Sequence, residues 1–477
     1  MDQANAQPSI AMALAPVLIL IAALATAVAL FGDGTVGGPG QIALILSGII
    51  AGLVGMRGGI SWQELEKSAA QSISRAMPAI FILLMVGTLV GTWMLSGTVP
   101  FLIYWGLQII APEIFYAAAL LICAAVALSI GSSWTTAGTV GIALIGISAA
   151  AGLSMEITAG AVISGAYFGD KLSPLSETTN LAAAVSDTDL FEHIRFLLWT
   201  TLPAIVLALI FFLVLSLSSA REMDQARIAD ISLALREGFS LSLWTLLPAI
   251  VTLTMAIGRQ PAFLSLIAGV LVAIGVTAIS QDAFNDHDAL TGTKLVWEIM
   301  ANGYTATTGN EVLDELLSRG GMDSMLSTIW LILSAMFFGG MMERSGALQV
   351  IVGYLLRGVD SGAKLMRRAG VTALGTNLIA SDQYLSIVLP AQMYRQEFDK
   401  LQLESRSLSR VLEDYGTATS ALVPWNTCGA FMAATLGVGT LAYLPYCIFN
   451  LASPLISHAY CLANFKVQYR TTTPETA

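Results

Sequence analysis

Between Ala76 and Asp170 the chain contains no lysine or arginine, and only Glu113, Glu156 and Asp170 carry charge there. A stretch so long and so poor in ions cannot cover a water-facing surface. The rest of the sequence agrees: of 477 residues, 56% are hydrophobic and 11% charged, and the mean hydropathy is +0.74. These values describe an all-α polytopic membrane protein, because in hydrocarbon each backbone polar group must be satisfied within its own segment. The net charge of −10 comes from acids grouped in loops, notably Asp282, Asp286, Asp288, Glu298, Glu311, Asp314, Glu315 and Asp323. With no polybasic patch, nucleic acid is excluded as a partner, and the lipid bilayer is the expected surrounding. Cys123, Cys428, Cys447 and Cys461 lack metal-type spacing and read as small core residues. Met1–Ser9 lacks the basic region of a secretory signal, so Ala11–Phe31 reads as a retained first helix.

Apolar runs of about 20 residues cross the hydrocarbon core. After 11–31 and a turn at Gly32-Asp33-Gly34, further spans are expected at 41–58 and 77–95, joined by a polar connection at 60–76. Phe101–Ile110 is too short to cross and reads as an interfacial helix. Two apolar runs, 114–130 and 138–151, flank a break at Gly131–Gly138. A run at 157–168 meets Gly169-Asp170-Lys171-Leu172-Ser173-Pro174-Leu175-Ser176-Glu177-Thr178-Thr179-Asn180, 181–187 continues past it, and a span at 194–217 closes the half. After a linker at 218–240 the same order restarts: spans at 241–257, 261–279 and 324–342, with an acidic segment, 280–322, between the last two. Ala347–Leu356 is short and apolar, 369–380 and 384–393 flank Ser381-Asp382-Gln383, and a second polar stretch runs from Glu413 to Thr427. The last pieces are 428–436 and a span at 441–462. Two polar breaks at one large period imply a duplicated unit: a first repeat at 1–217, a second at 241–467, and a tail at 468–477.

Lysine and arginine favour cytoplasmic loops. Arg57, Lys67 and Arg75 place the first connection inside; Arg357, Lys364, Arg367 and Arg368 place the matching part of the second half inside too, so the repeats are inverted. If 369–393 returns as a re-entrant hairpin, Arg395, Lys400, Arg406 and Arg410 also stay inside, which favours return over crossing. Each repeat then has about five transmembrane helices, a re-entrant hairpin and a broken helix, with both termini cytoplasmic. Arg221, Arg227 and Arg236 fit this scheme poorly, since their linker falls outside.

Irregular backbone at membrane depth is tolerated where it lines a cavity or a site. Two hairpin tips and two broken helices would converge near the midplane and offer Asp170, Ser173, Thr178, Thr179, Asn180, Ser132, Ser133, Thr135, Asp382, Gln383, Thr417, Thr419, Asn426 and Thr427 to a small cation or small-molecule substrate. A hard ion such as Na⁺ takes oxygen ligands, expected here from Asp170, Asn180, Asp382 and Asn426. An ionised carboxylate in an apolar interior is costly until a proton or a metal ion neutralises it, so Asp382, then Asp170, are the proton carriers expected. The bland reading is that Pro174 and Pro424 kink helices whose freed groups bond nearby Ser and Thr. Asp170 beside Lys171, and Glu343 beside Arg344, read equally well as internal pairs. His193 and His458 read as interfacial. No nucleophile with an oriented base and no Walker-type loop is present, which argues against an enzyme, and no cofactor is expected beyond Na⁺ and H⁺ as transported or coupling ions.

At these residues the chain resembles the NhaC-type sodium/proton antiporter family. The similarity lies in Gly138-Thr139-Val140-Gly141-Ile142-Ala143-Leu144, in Ser164 to Leu181, in Asp382-Gln383-Tyr384-Leu385-Ser386-Ile387-Val388-Leu389-Pro390, and in Pro424-Trp425-Asn426-Thr427-Cys428-Gly429. It implies secondary transport with scaffold and transport domains, an elevator-type movement and a homodimer in the bacterial inner membrane, the flat helices at 101–110 and 347–356 joining the domains. Some members of that family are thought to carry organic acids or amino acids, so the resemblance leaves Na⁺/H⁺ antiport and ion-coupled transport of a small carboxylate or amino acid both open.

Overall fold

The computed structural model describes residues 7–31, 37–219, 225–280, 289–309, 311–355 and 358–470. The turn at Gly32, the residues Arg221, Asp282, Asp286, Asp288 and Arg357, and most of the 468–477 tail lie outside them. Among the described residues there is no strand, only an isolated bridge between Leu403 and Tyr469. Among the described residues seven helices are long and apolar enough to cross a membrane, or nine if two sharply bent pairs each count as one.

The first half comprises α1 (Ile10–Phe31), α2 (Pro39–Arg57), α3 (Trp62–Leu95), α4 (Thr98–Ile109), α5 (Phe115–Ile130), α6 (Ser133–Ala150), α7 (Met155–Leu172), α8 (Glu177–Val185) and α9 (Leu190–Ser219). The expected connection at 60–76 is not a separate element. Ser61 Oγ accepts from Glu64 N–H (3.3 Å) while Glu64 Oε2 accepts from Ser61 N–H (3.0 Å), a reciprocal cap that starts α3 at Trp62. At 34 residues this helix is about 50 Å long, well beyond a hydrocarbon core of about 30 Å, so its polar first turns extend past the apolar part.

Next come α10 (Gln225–Gly238), α11 (Leu247–Ile257), α12 (Ala262–Ser280), α13 (Ala289–Asn302), α14 (Glu311–Leu317), α15 (Leu326–Arg344), α16 (Ala347–Leu355), α17 (Gly362–Ile379) and α18 (Gln383–Lys400). The 218–240 linker is thus largely helical and meets the following segment at 99°. The acidic segment is ordered where it is described. Asp314 Oδ1 accepts from the Thr308 hydroxyl (2.7 Å) and N–H (2.6 Å), bonds that hold its carboxyl below the usual carboxylate range.

The remaining elements are α19, which runs Ser405–Val411, a π-helical Leu412–Thr417 and Ala418–Ser420, then α20 (Thr427–Leu436), α21 (Thr440–Tyr443) and α22 (Ile448–Leu462). The single span expected at 441–462 is instead divided into α21, a 3₁₀ turn at Leu444–Tyr446 and α22, and the 440–446 piece meets α20 at 90°. Pro445 lacks the N–H that would carry the helix through.

The breaks are also shorter than expected. Asp170 sits in the last turn of α7, and only Ser173–Ser176 is unwound; Asp414 lies inside the π turn, and the backbone leaves the helix only at 421–426. Pro174 and Pro424 occupy these gaps, and Ser176 and Asn426 cap the helices that resume, accepting from Thr179 N–H (3.4 Å) and Cys428 N–H (3.0 Å). In the first hairpin only Gly131 and Ser132 are non-helical.

Close packing rests on small residues. A Cβ on Gly165 or Gly169 of α7 would strike the carbonyl oxygens of Leu120 and Ala124, so this small-xxx-small face lets α5 and α7 approach to backbone contact. Elsewhere α3 packs on α15 and α12, α15 on α2, α1 on α2, α11 on α12, and α9 on α22. Both interrupted pairs return on themselves. Ser154 N–H, after α6, donates to Tyr116 Oη at the start of α5 (3.1 Å), and Gly362 lies against Leu403 at the base of α17 and α18.

Candidate functional site

Each hairpin tip lies against the break of its own half. Gly131 has φ +77, and a Cβ there would fall 2.6 Å from the Leu175 carbonyl carbon and 2.7 Å from Ser176 N, so only glycine fits. Just past it, Ser132 caps α6 through Thr135 N–H (3.2 Å), and the Thr135 hydroxyl bonds Ser132 Oγ (3.1 Å). The Ser133 N–H (3.1 Å) and hydroxyl (2.7 Å) both donate to Asp170 Oδ2. Thr179 Oγ1 donates to the carbonyls of Asp170 (3.3 Å) and Lys171 (3.2 Å), Ser173 Oγ accepts from Leu175 N–H (3.2 Å), and Thr178 Oγ1 meets Ser176 Oγ (3.1 Å).

In the second half Ser381 adopts φ +58 at the tip, and its carbonyl accepts from Thr427 N–H (3.0 Å). Asp382 caps α18, accepting from Leu385 N–H (2.8 Å). Gln383 Oε1 accepts from Ser420 Oγ (3.1 Å) and Cys428 Sγ (2.5 Å). Asn377 Nδ2 donates to Gly416 O (2.6 Å) and Thr419 Oγ1 (3.0 Å), and Asn426 Nδ2 to Asn377 Oδ1 (3.1 Å). The halves join through Tyr167 Oη and Ser420 Oγ (3.3 Å), through Trp134 stacked on Phe431 (4.0 Å, 13°), and through Tyr384 Oη donating to Glu177 Oε2 (2.7 Å).

Asp170, Ser173, Thr178, Thr179, Asp382, Gln383, Thr417, Thr419, Asn426 and Thr427 are therefore all buried. Asn180 stands apart: exposed, it bonds the Pro174 (2.9 Å) and Ser176 (2.7 Å) carbonyls. Asp170 is answered by the first tip and Asp382 by its own helix. Among the described residues no group of three His, Cys, Asp or Glu is placed to hold a metal ion.

Beside this hydroxyl and amide layer lies an ionic one absent from the expected ligand set. Lys171 Nζ is ion-paired with Asp414 Oδ1 and donates to Ser453 Oγ (2.8 Å), with Lys171 1% and Asp414 0% exposed. Thr200 Oγ1 (2.8 Å) and Ser453 Oγ (3.1 Å) donate to the same carboxylate oxygen. Arg410 Nε stands 3.8 Å from Asp414 Oδ2, and its guanidinium covers the Phe196 ring at 4.6 Å. Lys171 thus pairs across the halves, not with neighbouring Asp170. Glu343 and Arg344 likewise cross-pair, with Arg75 (2.7 Å) and Glu64 (2.6 Å). His193 is fully buried in the protein and bonded to Ser409 Oγ (2.8 Å). The charged doublets Asp170-Lys171 and Glu413-Asp414, at matching places in the two polar stretches, were the signal for this layer. The four cysteines are buried and free.

A helical membrane protein in which hairpin tips and interrupted helices from both halves meet at a buried, oxygen-rich centre is built as secondary transporters are. The chain belongs to the Na⁺/H⁺ antiporter family, whose sequence model matches residues 165–465. It is 40% identical over 417 residues to the Na⁺/H⁺ antiporter NhaC of Alkalihalophilus pseudofirmus, covering 87% of this chain and 88% of that one. It is 39% identical over 459 residues to the arginine/ornithine antiporter ArcD of Halobacterium salinarum, covering 94% and 91%. With the malate-2H⁺/Na⁺-lactate antiporter of Bacillus subtilis it shares 36% over 409 residues, 86% of each chain.

Proposed function

We propose that the protein is a secondary active Na⁺/H⁺ antiporter working by alternating access. The observation that carries this reading is Asp170, buried in the last turn before a break and bonded by the tip of the first hairpin. A proton and a Na⁺ ion can each neutralise such a carboxylate, and their competition for it suffices for exchange. Asp170 and Asp382 are the proton carriers in this reading. Na⁺ is held by Asp170, Asp382, Asn426 and, after rearrangement of its exposed side chain, Asn180. The hydroxyls of Ser132, Ser133, Thr135, Ser173, Thr178, Thr179, Thr417, Thr419 and Thr427, with Gln383, complete the polar lining. The cargo is Na⁺ and H⁺, and no prosthetic group takes part.

Packing supports two inverted repeats, 1–217 and 241–467, joined by 218–240 and followed by a 468–477 tail. The contact of α1 with α2 has its counterpart in α11 with α12, and that of α2 with α15 in α12 with α3. Helices α3 and α9 each pack on their own counterparts, α15 and α22, as a two-fold axis requires. In this reading α4 and α16 are arms between scaffold and transport domains, the movement is elevator-type, the protein is a homodimer in the bacterial inner membrane, and both termini are cytoplasmic.

The test is the purified protein in liposomes with no organic solute. An imposed Na⁺ gradient should drive proton movement, and Asp170→Asn should abolish it. A wild-type protein that moves no protons in response to Na⁺ sinks the reading. One observation favours a second reading, ion-coupled exchange of a small carboxylate or amino acid: Arg410 is fully buried, and its three guanidinium nitrogens have no hydrogen-bond partner. Thermal stabilisation by an organic anion but not by Na⁺ alone would select it.

A further inference from the structure

Among the described residues each half contains one π-helical turn, Ala137–Gly141 in α6 and Leu412–Thr417 in α19, and single π turns recur at functional sites. Around the second, the carbonyls are accounted for. Gly416 O accepts from Asn377 Nδ2 (2.6 Å), Thr417 O from Ser420 Oγ (2.8 Å), and Ala418 O from Asn450 Nδ2 (2.8 Å). Asp414 has its lysine. Glu413 has no such cation of its own: it is 0% exposed, neither of its carboxylate oxygens makes a well-formed hydrogen bond, and the Thr417 hydroxyl one turn on is the polar group beside it.

An ionised carboxylate left in that state is strongly disfavoured. The Lys171 ammonium is near enough for its charge to act on Glu413 but is committed to Asp414 and Ser453, so beyond the Thr417 hydroxyl this carboxylate has no donor of its own. Asp170 is near enough for its charge to act on Glu413. Two carboxylates and a hydroxyl thus lie in one neighbourhood, where α7 packs on the π turn, and the nearby lysine is already engaged by Asp414. We propose that Glu413 is a ligand of the transported cation, holding a small hard monovalent ion together with Thr417 Oγ1 and Asp170, since such ions are bound by oxygen alone. This deepens the antiport reading and rests on it. It also gives Asp170 a partner other than Asp382, one of whose oxygens is engaged in capping α18.

The experiment measures binding of radioactive Na⁺ to the purified full-length protein, alongside Na⁺-driven proton movement in liposomes. Glu413→Gln should weaken Na⁺ binding roughly ten-fold or more, the scale of a lost charged contact. Glu413→Asp, which keeps a carboxylate but draws it back by one methylene, should weaken binding less, by several-fold. Thermal unfolding of both variants separates a lost ligand from a lost fold. If the glutamine variant does not fold, the aspartate variant decides: Na⁺ affinity lowered several-fold in a folded protein supports the proposal, and wild-type affinity overturns it. Wild-type Na⁺ affinity in a folded Glu413→Gln protein overturns the Glu413 ligand alone. A wild type that neither binds Na⁺ nor moves protons with it overturns the antiport reading as well.

Discussion

Asp414 is a carboxylate sealed from solvent whose charge is tolerated because Lys171, Thr200 and Ser453 all converge on one of its oxygens. Removing one partner of such a pair leaves the other charge buried and alone, which costs about 3–5 kcal/mol, whereas replacing both removes the need for compensation. Lys171→Met should therefore lower the thermal unfolding temperature sharply, and Lys171→Met with Asp414→Asn should recover much of the loss. Equal, additive losses in the double variant would mean that the two residues do not depend on each other. Asp170 and Asp414 could be picked out in the sequence, because a carboxylate amid Ala, Val and Leu is conspicuous and these two recur at one period. The pairing could not. Lys171 lies next to Asp170 in the chain, and only the folding of α7 against α19 carries its ammonium to a residue 243 positions away.

Elements were legible where proline or a capping residue marks them. Pro174 and Pro424 sit in the two breaks, and Ser61 with Glu64 is a capping pattern that could have been read as a helix start before α3 was seen. The extent of the breaks was not legible, since π turns and tight caps preserve helix through polar residues that look unsuited to it. Gly131 shows how finely the first tip is set. With φ +77 and the backbone of Leu175 and Ser176 within 2.7 Å of where a Cβ would lie, Gly131→Ala combines about 1–2 kcal/mol of left-handed strain with a backbone clash that flexible side chains cannot relieve. The tip must then lift from the break, and Ser133 with it, away from Asp170. Expected are a destabilised protein and loss of most transport, read by thermal unfolding and liposome exchange. Wild-type transport in Gly131→Ala would mean that the contact between tip and break is dispensable.

At the scale of the whole molecule, the question is how the helices lie in the bilayer, and ion pairs tie the answer together. The cross-pairs of Arg75 with Glu343 and Arg344 with Glu64 keep the base of α3 beside the end of α15. Arg395 bonds Asp187 (2.9 Å), and Gly362 lies against Leu403, so α17 and α18 begin and end on one side. Lysines and arginines concentrate at these places, and they favour the cytoplasmic face. The chain offers a clean way to check this, because its four cysteines are all buried and should stay silent to a polar thiol reagent. Glu66, Glu113 and Gln396 are exposed, and each can be replaced singly by cysteine. In intact cells a membrane-impermeant maleimide should label Glu113→Cys, while Glu66→Cys and Gln396→Cys should react only after permeabilisation. Labelling of Gln396→Cys from outside would put the base of α17 and α18 on the outer face, and the four basic residues between 395 and 410 would then face the wrong side for the inverted arrangement to stand.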